Sequence, residues 1–403
     1  MTAVPPGRPA PIPLPAEVRR GLPAMVVGRL VGNVGSRFTY PFLPAIARGL
    51  GISAEAAGIA LSVRELAGLV GPAAGRTIDH GHRRDALVWG LAVAGLFLGL
   101  TGATSGVVLF TVGITAFGVA KLFYDTAMAT WIGHHVPWER RGAAMGYGEL
   151  AWAGALLFGV PLVGLAIEAW GWRSAFFLVG AANVLVAVLV ARRVDRDDET
   201  DTGPVARLRL LPGAFGLYAV MGLLSFAVQL VMVAHGFWLE DAFGWSVAAI
   251  GAASIMLGLG ELMGTGLMIS ISDRVGKRRS LLVGSVALVA PLALLGTGSA
   301  ASWWAVALLT ITVAVFEFTF VSGLPLVTEI DPDARGAGIG TAIALVTVTR
   351  AAGNVVGVAL YAAGDMTWTG RAAALCVGLA AVVTLVAVRE PGAHAASRDD
   401  SVR

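Results

Sequence analysis

The sequence predicts an all-α integral membrane protein, with twelve transmembrane helices arranged as two pseudo-symmetric six-helix bundles. Three observations lead to this fold class. The composition is too apolar for a soluble domain, twelve stretches are long enough to cross a bilayer, and short motifs recur at a nearly constant interval along the chain.

The composition separates this chain from soluble proteins. Of its 403 residues, 56% are hydrophobic and 14% are charged, and the mean hydropathy is +0.77. An average soluble domain has about 45–50% apolar and about 25% charged residues. The alternative, a soluble protein with buried helices, would need polar helix faces that these stretches lack. The net charge of +3 is small, and the pI near 9.3 reflects local arginine clusters rather than a basic face, so we expect no nucleic-acid partner.

Enzymatic and metal chemistry are not expected either. The single cysteine, Cys376, lies in an apolar stretch, and the six histidines are scattered. We therefore expect no bound metal and no cofactor. A membrane enzyme would need a catalytic set, and no Ser/His/Asp arrangement is apparent. The phosphate-binding pattern Gly-x4-Gly-Lys-Ser/Thr is missing as well, which argues against direct use of ATP.

Apolar stretches of about 20 residues, the length that a membrane helix needs, fall into two groups of six. Short gaps such as Thr104–Gly106 and Ser299–Ser302 predict tight turns between antiparallel helices. The first group lies near 23–46, 56–76, 86–104, 107–131, 142–165 and 175–192, and the second near 213–236, 247–270, 280–298, 304–328, 336–362 and 371–388.

Charge and composition divide the chain further. We expect a disordered cytoplasmic tail at 1–20, a six-helix bundle at 21–193, a cytoplasmic linker at 194–211, a second bundle at 212–389 and a tail at 390–403. With a cytoplasmic N-terminus, the outer loops hold only three arginines. The positive-inside rule therefore predicts a multi-pass protein of the cell (inner) membrane with both termini in the cytoplasm.

An internal repeat relates the two halves. Asp79 and Asp273 lie 194 residues apart, each directly after the second span of its half. Arg141-Gly142 and Arg335-Gly336 open the fifth and eleventh spans at the same offset. Repeated halves of this kind predict a pseudo-two-fold axis along the membrane normal, with a cavity between the halves.

At these residues the chain resembles the major facilitator superfamily. The loop signature Gly-x3-Asp-Arg-x-Gly-Arg-Arg is matched in part at Gly75–Arg84, where His80 and His82 depart from it, and at Asp273–Arg278. The resemblance covers roughly residues 20–390 and implies the major facilitator fold and solute transport. The signature residues that it carries over to this chain are Gly75, Asp79, Arg83, Arg84, Asp273, Arg274, Gly276, Lys277 and Arg278.

These loop residues have a physical role available to them. A helix N-terminus carries a partial positive charge and free N–H groups. Asp79 is expected to cap the eleventh span near Gly336, and Asp273 the fifth near Ala143, as a latch that holds the cytoplasmic side closed. The alternative is that these residues only fix the topology.

A second motif lies in the fifth span. Gly154-x4-Gly159-Val160-Pro161-x2-Gly164 resembles the antiporter signature of the drug-efflux branch, with Val160 inserted. Close helix packing is an equal alternative for glycines in a membrane helix. The resemblance favours proton-linked efflux.

Ten ionisable residues lie within predicted spans, five of each sign. Such residues are costly in a membrane and point to a functional site, although static salt bridges between helices are the alternative. Arg29, Asn33 and Arg37 share one helix face, and Lys121 and Asp125 have i, i+4 spacing. The expected proton-coupling residues are Asp125 and Glu149 first, then Glu65, Glu261 and Glu317. The expected cavity residues are Arg29, Asn33, Arg37, Arg64, Lys121, Trp152, Gln229 and Arg350.

The leading functional hypothesis is a monomeric secondary transporter in the lipid bilayer that exports a small organic compound in exchange for protons. A symporter or uniporter that imports a solute is the alternative within the same fold. A channel or receptor is disfavoured, because repeated halves with core charges of both signs do not make a simple pore.

Neutralising Asp125 or Glu149, as Asp125→Asn or Glu149→Gln, is expected to abolish proton-driven exchange while the protein still inserts into the membrane, because each carboxylate is expected to carry the proton. Transport into liposomes with an imposed pH gradient measures this. Wild-type exchange in both variants would remove these two residues as carriers.

Overall fold

A computed structural model describes residues 14–79, 82–196, 214–297, 301–329 and 335–388. This part of the chain is helical throughout and contains no strand, as predicted. The helices are α1 Ala16–Arg37, α2 Leu43–Leu50, α3 Ala54–Leu66, α4 Gly71–Asp79, α5 Arg83–Ala103, α6 Val107–His135, α7 Trp138–Gly154, α8 Val160–Trp170, α9 Arg173–Arg193, α10 Phe215–Phe243, α11 Val247–Val275, α12 Lys277–Leu294, α13 Ser302–Glu329 and α14 Arg335–Ala387.

The predicted spans correspond to these helices. A 3-10 turn at Ala67–Val70 joins α3 to α4, and a π-helical turn at Ala155–Gly159 joins α7 to α8. Eight helical stretches of the described chain are long and apolar enough to cross a membrane. Dividing α14 at its bend adds one segment to these eight. The more charged α1, α3–α4 and α12 supply the other three of the twelve predicted segments.

Two helix boundaries differ from the prediction. The first span, predicted as continuous over 23–46, ends at Arg37, and α2 begins only at Leu43. Pro41 and Pro44 fall at this break, and a proline removes a backbone donor and clashes with the preceding turn. The gap predicted at 363–370 is a sharp bend within α14, where Asp365 adopts φ 66° and its carboxylate accepts a hydrogen bond from the Thr367 N–H at 2.5 Å.

Two arginines at equivalent positions show the pseudo-symmetry in detail. Arg84 donates from Nε to the Val194 carbonyl at 2.8 Å and from Nη2 to the Ala191 carbonyl at 2.7 Å. Arg278 makes the same two contacts 194 residues later, to the carbonyls of Val388 at 2.6 Å and Leu385 at 2.8 Å. Each arginine thereby satisfies carbonyl groups that the C-terminus of α9 or α14 leaves free.

Two turns are also equivalent in the two halves, at an offset of 193 residues. Gly51 and Gly244 both adopt a left-handed conformation, with φ of 66° and 63°, which glycine tolerates without strain. Ser53 and Ser246, two residues further on, cap the N-termini of α3 and α11. The tight turn at Thr104–Gly106 is present between α5 and α6, whereas Ser299 and most of the 194–211 linker lie outside the described residues.

Two of the polar contacts between the halves lie at one end of the bundle. We name the end with the start of α1 and the close of α14 the terminal end, and the opposite one the distal end. At the distal end, Arg48 forms an ion pair with Glu240, and the Glu168 carboxylate accepts a hydrogen bond from the Ala248 N–H at 3.0 Å. Glu168 thus caps a helix of the other half at its positively polarised N-terminus.

Small residues allow the helices to approach closely at the same end. Gly164 of α8 faces Gly251 of α11, where an added Cβ on Gly251 would lie 3.3 Å from the Gly164 Cα. At the terminal end, a Cβ added to Gly71, Gly75 or Gly142 would meet no atom of the described residues within 4 Å. Among the described residues, these glycine positions show closer contact between the two halves at the distal end than at the terminal end.

Arg84→Ala and Arg278→Ala are each expected to lower stability by about 1–3 kcal/mol, because two charge-assisted hydrogen bonds to helix-end carbonyls are lost. Thermal unfolding in detergent measures the change. Arg279→Ala, at an exposed neighbouring position, is the matched control, and equal melting temperatures for the 278 and 279 variants would contradict the expectation.

Candidate functional site

A cavity of about 330 Å³, the central cavity, lies between the two halves. Its size is at the lower end of the range typical of small-molecule sites. Helices of both halves supply its wall, among them α1, α3 and α6 on one side and α10, α11, α13 and α14 on the other. Of the predicted site residues, it is lined by Arg37, Arg64, Glu65, Lys121, Asp125, Trp152, Gln229, Glu261, Glu317 and Arg350.

The first ion pair of the cavity joins the two halves. Arg37 of α1 holds Glu261 of α11 with both terminal nitrogens, and the bond from Nη1 to Oε2 measures 2.8 Å. The guanidinium also lies over the Trp152 ring, 4.3 Å from its centroid. Side chains of this pair are 15% and 8% exposed. A fork-shaped, nearly dry pair of this kind is both strong and orientation-specific.

A second charge cluster surrounds Glu65. Its carboxylate accepts hydrogen bonds from the Tyr40 hydroxyl at 2.7 Å and from Arg64 Nη2 at 2.8 Å, both within the first half. Arg350 of the second half donates to it from Nε at 3.1 Å. Arg64 is anchored further by a 2.9 Å bond from Nη1 to the Ser36 carbonyl. One carboxylate therefore faces two guanidinium groups.

Lys121 and Asp125 form an ion pair within α6, which their i, i+4 spacing allows. Both line the cavity. Arg29 pairs with Glu149 at 3.1 Å, but the Glu149 side chain is 63% exposed and neither residue is among those that line the cavity. Only one residue of the predicted helix face of Arg29, Asn33 and Arg37 lines the cavity, and that residue is Arg37.

Two polar amides have different environments. Asn33 is fully buried, and neither atom of its side-chain amide has a hydrogen-bond partner among the described residues. Gln229 lines the cavity and donates from Nε2 to the Asn354 side chain at 2.6 Å, which links α10 to α14 within the second half.

Glu317 differs from every other carboxylate of the cavity. Among the residues that the structure describes, no lysine or arginine lies within salt-bridge distance of it. Its closest polar contact is the Thr265 hydroxyl, at 3.5 Å. The charged groups that act on it from neighbouring helices are Glu261 of α11, Arg37 of α1 and Glu149 of α7. A proton or a cation is the counter-charge that this carboxylate lacks.

The loop-signature residues are described in part. The side chains of Asp79 and Asp273 lie outside the described residues, so the latch stays a prediction. Arg83 is buried against His134, 2.9 Å from its Nε2, and Lys277 pairs with Glu329 at 2.6 Å. Of the remaining members, Arg274 is exposed, Gly276 ends α11 with φ 95°, and Gly75 is half-buried in α4.

The glycines of the fifth-span motif lie at helix contacts. A Cβ on Gly154 would lie 3.2 Å from Leu30, and Gly159 packs directly on Val34, both in α1. With Gly164 at the contact with α11, each glycine has a packing reason. Packing alone is therefore enough to account for the motif.

Tyr40 and His235 are among the cavity residues that were not predicted. Tyr40 supplies a hydrogen bond to Glu65, and His235 of α10 lies in the wall with its Nδ1 2.7 Å from the Met232 carbonyl. Both are polar groups within predicted spans. Counting neutral polar side chains along with the charged ones would have found them.

Comparison with known proteins agrees with this architecture. The family model described as the Major Facilitator Superfamily matches residues 25–210 and again residues 210–401. The uncharacterized MFS-type transporter YceJ of Bacillus subtilis is 24% identical over 60% of this chain and 64% of its own length. The tetracycline resistance protein, class G, of Vibrio anguillarum is 27% identical over 75% of each chain.

Two further proteins are similar. The multi-drug resistance efflux pump PmrA of Streptococcus pneumoniae is 24% identical over 64% of this chain and 68% of its own. The structure of a D-xylose-proton symporter superposes with a TM-score of 0.77 at 17% identity, over 94% of this chain and 99% of the symporter. Since the family model matches each half of the chain, this multi-pass membrane protein belongs to the Major Facilitator Superfamily of transporters.

Proposed function

We propose that the protein is a secondary active transporter that exports a small organic compound in exchange for protons by alternating access. The observation that carries the proposal is Glu317, a carboxylate with no basic partner among the described residues, in a cavity that both halves enclose. The names of two relatives, a tetracycline resistance protein and a multi-drug resistance efflux pump, support export.

The terminal end of the bundle faces the cytoplasm in this proposal. Paired arginines are concentrated there, at Arg83–Arg84, Arg140–Arg141 and Arg192–Arg193. The distal loops have only three arginines, Arg48, Arg173 and Arg371. The positive-inside rule supports that orientation in a cell (inner) membrane. Closer contact between the halves at the distal end than at the terminal end then corresponds to an inward-open state.

Glu317 is the foremost proton site in this mechanism. Asp125 is held by Lys121 in the same helix, and Glu149 is largely exposed beside Arg29. Glu65 and Glu261 are held by arginines. A carboxylate that already has a cationic partner binds a proton less readily than one that has none. The ranking of carriers therefore moves from Asp125 and Glu149 to Glu317.

Polar contacts between the halves control the change between the two conformations in this mechanism. The Arg37–Glu261 and Glu65–Arg350 pairs both cross the central cavity, and the capping contact of Glu168 closes the distal end. Opening toward the distal side requires these contacts to exchange for new ones at the terminal end. Binding of a proton or a substrate beside the ion pairs changes their energies, and so biases the equilibrium between the two states.

Glu317→Gln is expected to reduce pH-gradient-driven transport in liposomes at least tenfold while counterflow of acidic compounds without a gradient is retained, since the carrier of the proton is lost but Arg350 and the rest of the cavity remain. A panel of aromatic amines, acids and zwitterions serves as substrate. Asp125→Asn is the comparison variant. Full gradient-driven transport by Glu317→Gln would overturn the assignment, and uptake of solute together with protons would favour the importer.

Charge reversal of the Arg37–Glu261 pair tests directly whether this ion pair holds the two halves together. Arg37→Glu and Glu261→Arg are each expected to destabilise the protein by about 3–5 kcal/mol, because like charges then meet in a nearly dry site, and the double variant is expected to recover at least half. Thermal unfolding completes the double-mutant cycle. The same exchange at Arg29 and Glu149, a pair whose Glu149 side chain is 63% exposed, is the control with an expected coupling of under about 1 kcal/mol. Equal couplings at the two sites would contradict the cross-half tie.

A further inference from the structure

We infer that the substrate is a zwitterion: an organic molecule whose basic nitrogen binds Glu317 and whose acidic group binds Arg350. The inference rests on the proposed function, because it takes the central cavity to be the transport site. It goes beyond that function by assigning the charges of the ligand and the residue that meets each of them.

The charge balance of the cavity is the first step. Two of its pairs, Arg37 with Glu261 and Lys121 with Asp125, are neutral. The Glu65 cluster is not, because two guanidinium groups share one carboxylate and one positive charge is left over. The ionised Glu317 carboxylate leaves one negative charge over.

Uncompensated charges in a partly dry cavity are costly, and the cost falls when a ligand brings the opposite charge. A cationic ligand compensates only Glu317, and an anionic ligand compensates only the Glu65 cluster. A ligand with one charge of each sign compensates both and leaves the filled cavity neutral.

Of the two arginines in the Glu65 cluster, Arg350 rather than Arg64 has hydrogen-bond donors available to a ligand. The Arg64 side chain is 5% exposed, and its two terminal nitrogens are used by Ser36, Thr39, Tyr40 and Glu65. The Arg350 side chain is 31% exposed and reaches Glu65 through Nε alone. Its terminal amino groups take no part in that ion pair, and the Tyr40 side chain is the other polar group that Arg350 contacts. A guanidinium group with two such donors suits a carboxylate held by parallel hydrogen bonds.

The Glu317 side of the cavity suits a protonated amine. A single hydroxyl, that of Thr265, lies at 3.5 Å, so the carboxylate retains acceptor capacity for a ligand. The rings of Trp152 and Phe316 also line the cavity, which favours an apolar or aromatic body between the charged groups. Because an amine and a proton bind the same carboxylate, each weakens binding of the other, as exchange requires.

Binding to the full-length protein in detergent, by isothermal titration calorimetry at fixed pH, tests the inference. The probes are aminoalkyl benzoates with spacers of one to four methylenes, each compared with the matched alkylbenzene amine and with the matched benzoate. At least one zwitterion is expected to bind tenfold or more tightly than both of its matched single-charge compounds. If none does so, the inference is overturned.

Substitutions then assign each end of the ligand. Glu317→Gln is expected to move the preference to the matched acid. Arg350→Gln, which leaves Glu65 paired with Arg64, is expected to move it to the matched amine. Arg350→Lys keeps the charge and is expected to keep the zwitterion preference at lower affinity, and Glu55→Gln, outside the cavity, is the control. Unchanged preference in folded Glu317→Gln and Arg350→Gln variants would overturn the assignment.

This test is independent of proton coupling, because no gradient is applied. Zwitterion preference without gradient-driven transport would leave the inference standing and remove the proposed exchange mechanism. Gradient-driven transport of singly charged compounds, without zwitterion preference, would do the reverse.

Discussion

The cost of ionised groups inside an apolar bundle is the constraint on which the rest of this structure depends. A buried charge is tolerated only with a partner or with water. In this protein most of those partners lie on other helices, and two of the pairs, Arg37 with Glu261 and Arg350 with Glu65, lie on opposite halves. The same interactions that make the charges tolerable therefore hold the halves together around a cavity.

Pseudo-symmetry gives the two halves similar frames but different interiors. Arg84 and Arg278 contact helix-end carbonyls at equivalent sequence positions and at similar distances. The cavity residues do not follow the repeat: the first half contributes the Arg64–Glu65 pair and the second contributes Glu317. A conserved frame with divergent cavity walls separates the requirement for folding from that for ligand recognition.

Closure at the distal end relies on several weak contacts rather than on one strong one. It combines an exposed ion pair, a carboxylate at a helix N-terminus and glycine-mediated helix contact. Exposed ion pairs contribute up to about 1 kcal/mol, and helix-end charges a similar amount. A closed end built in this way is stable enough to form and still able to open, which an alternating-access cycle requires.

The sequence by itself determined the fold class, the helical segments and the repeat, because apolar length and motif spacing are local properties that the membrane environment makes decisive. It also identified the ten ionisable residues within the predicted spans, since each stands out in an apolar stretch. Only the tertiary structure decided how they pair. Glu261 and Glu317 look alike in sequence, yet one meets Arg37 across the halves and the other meets no cation among the described residues. The distinction depends on helix rotation and distance between helices, which no local pattern records.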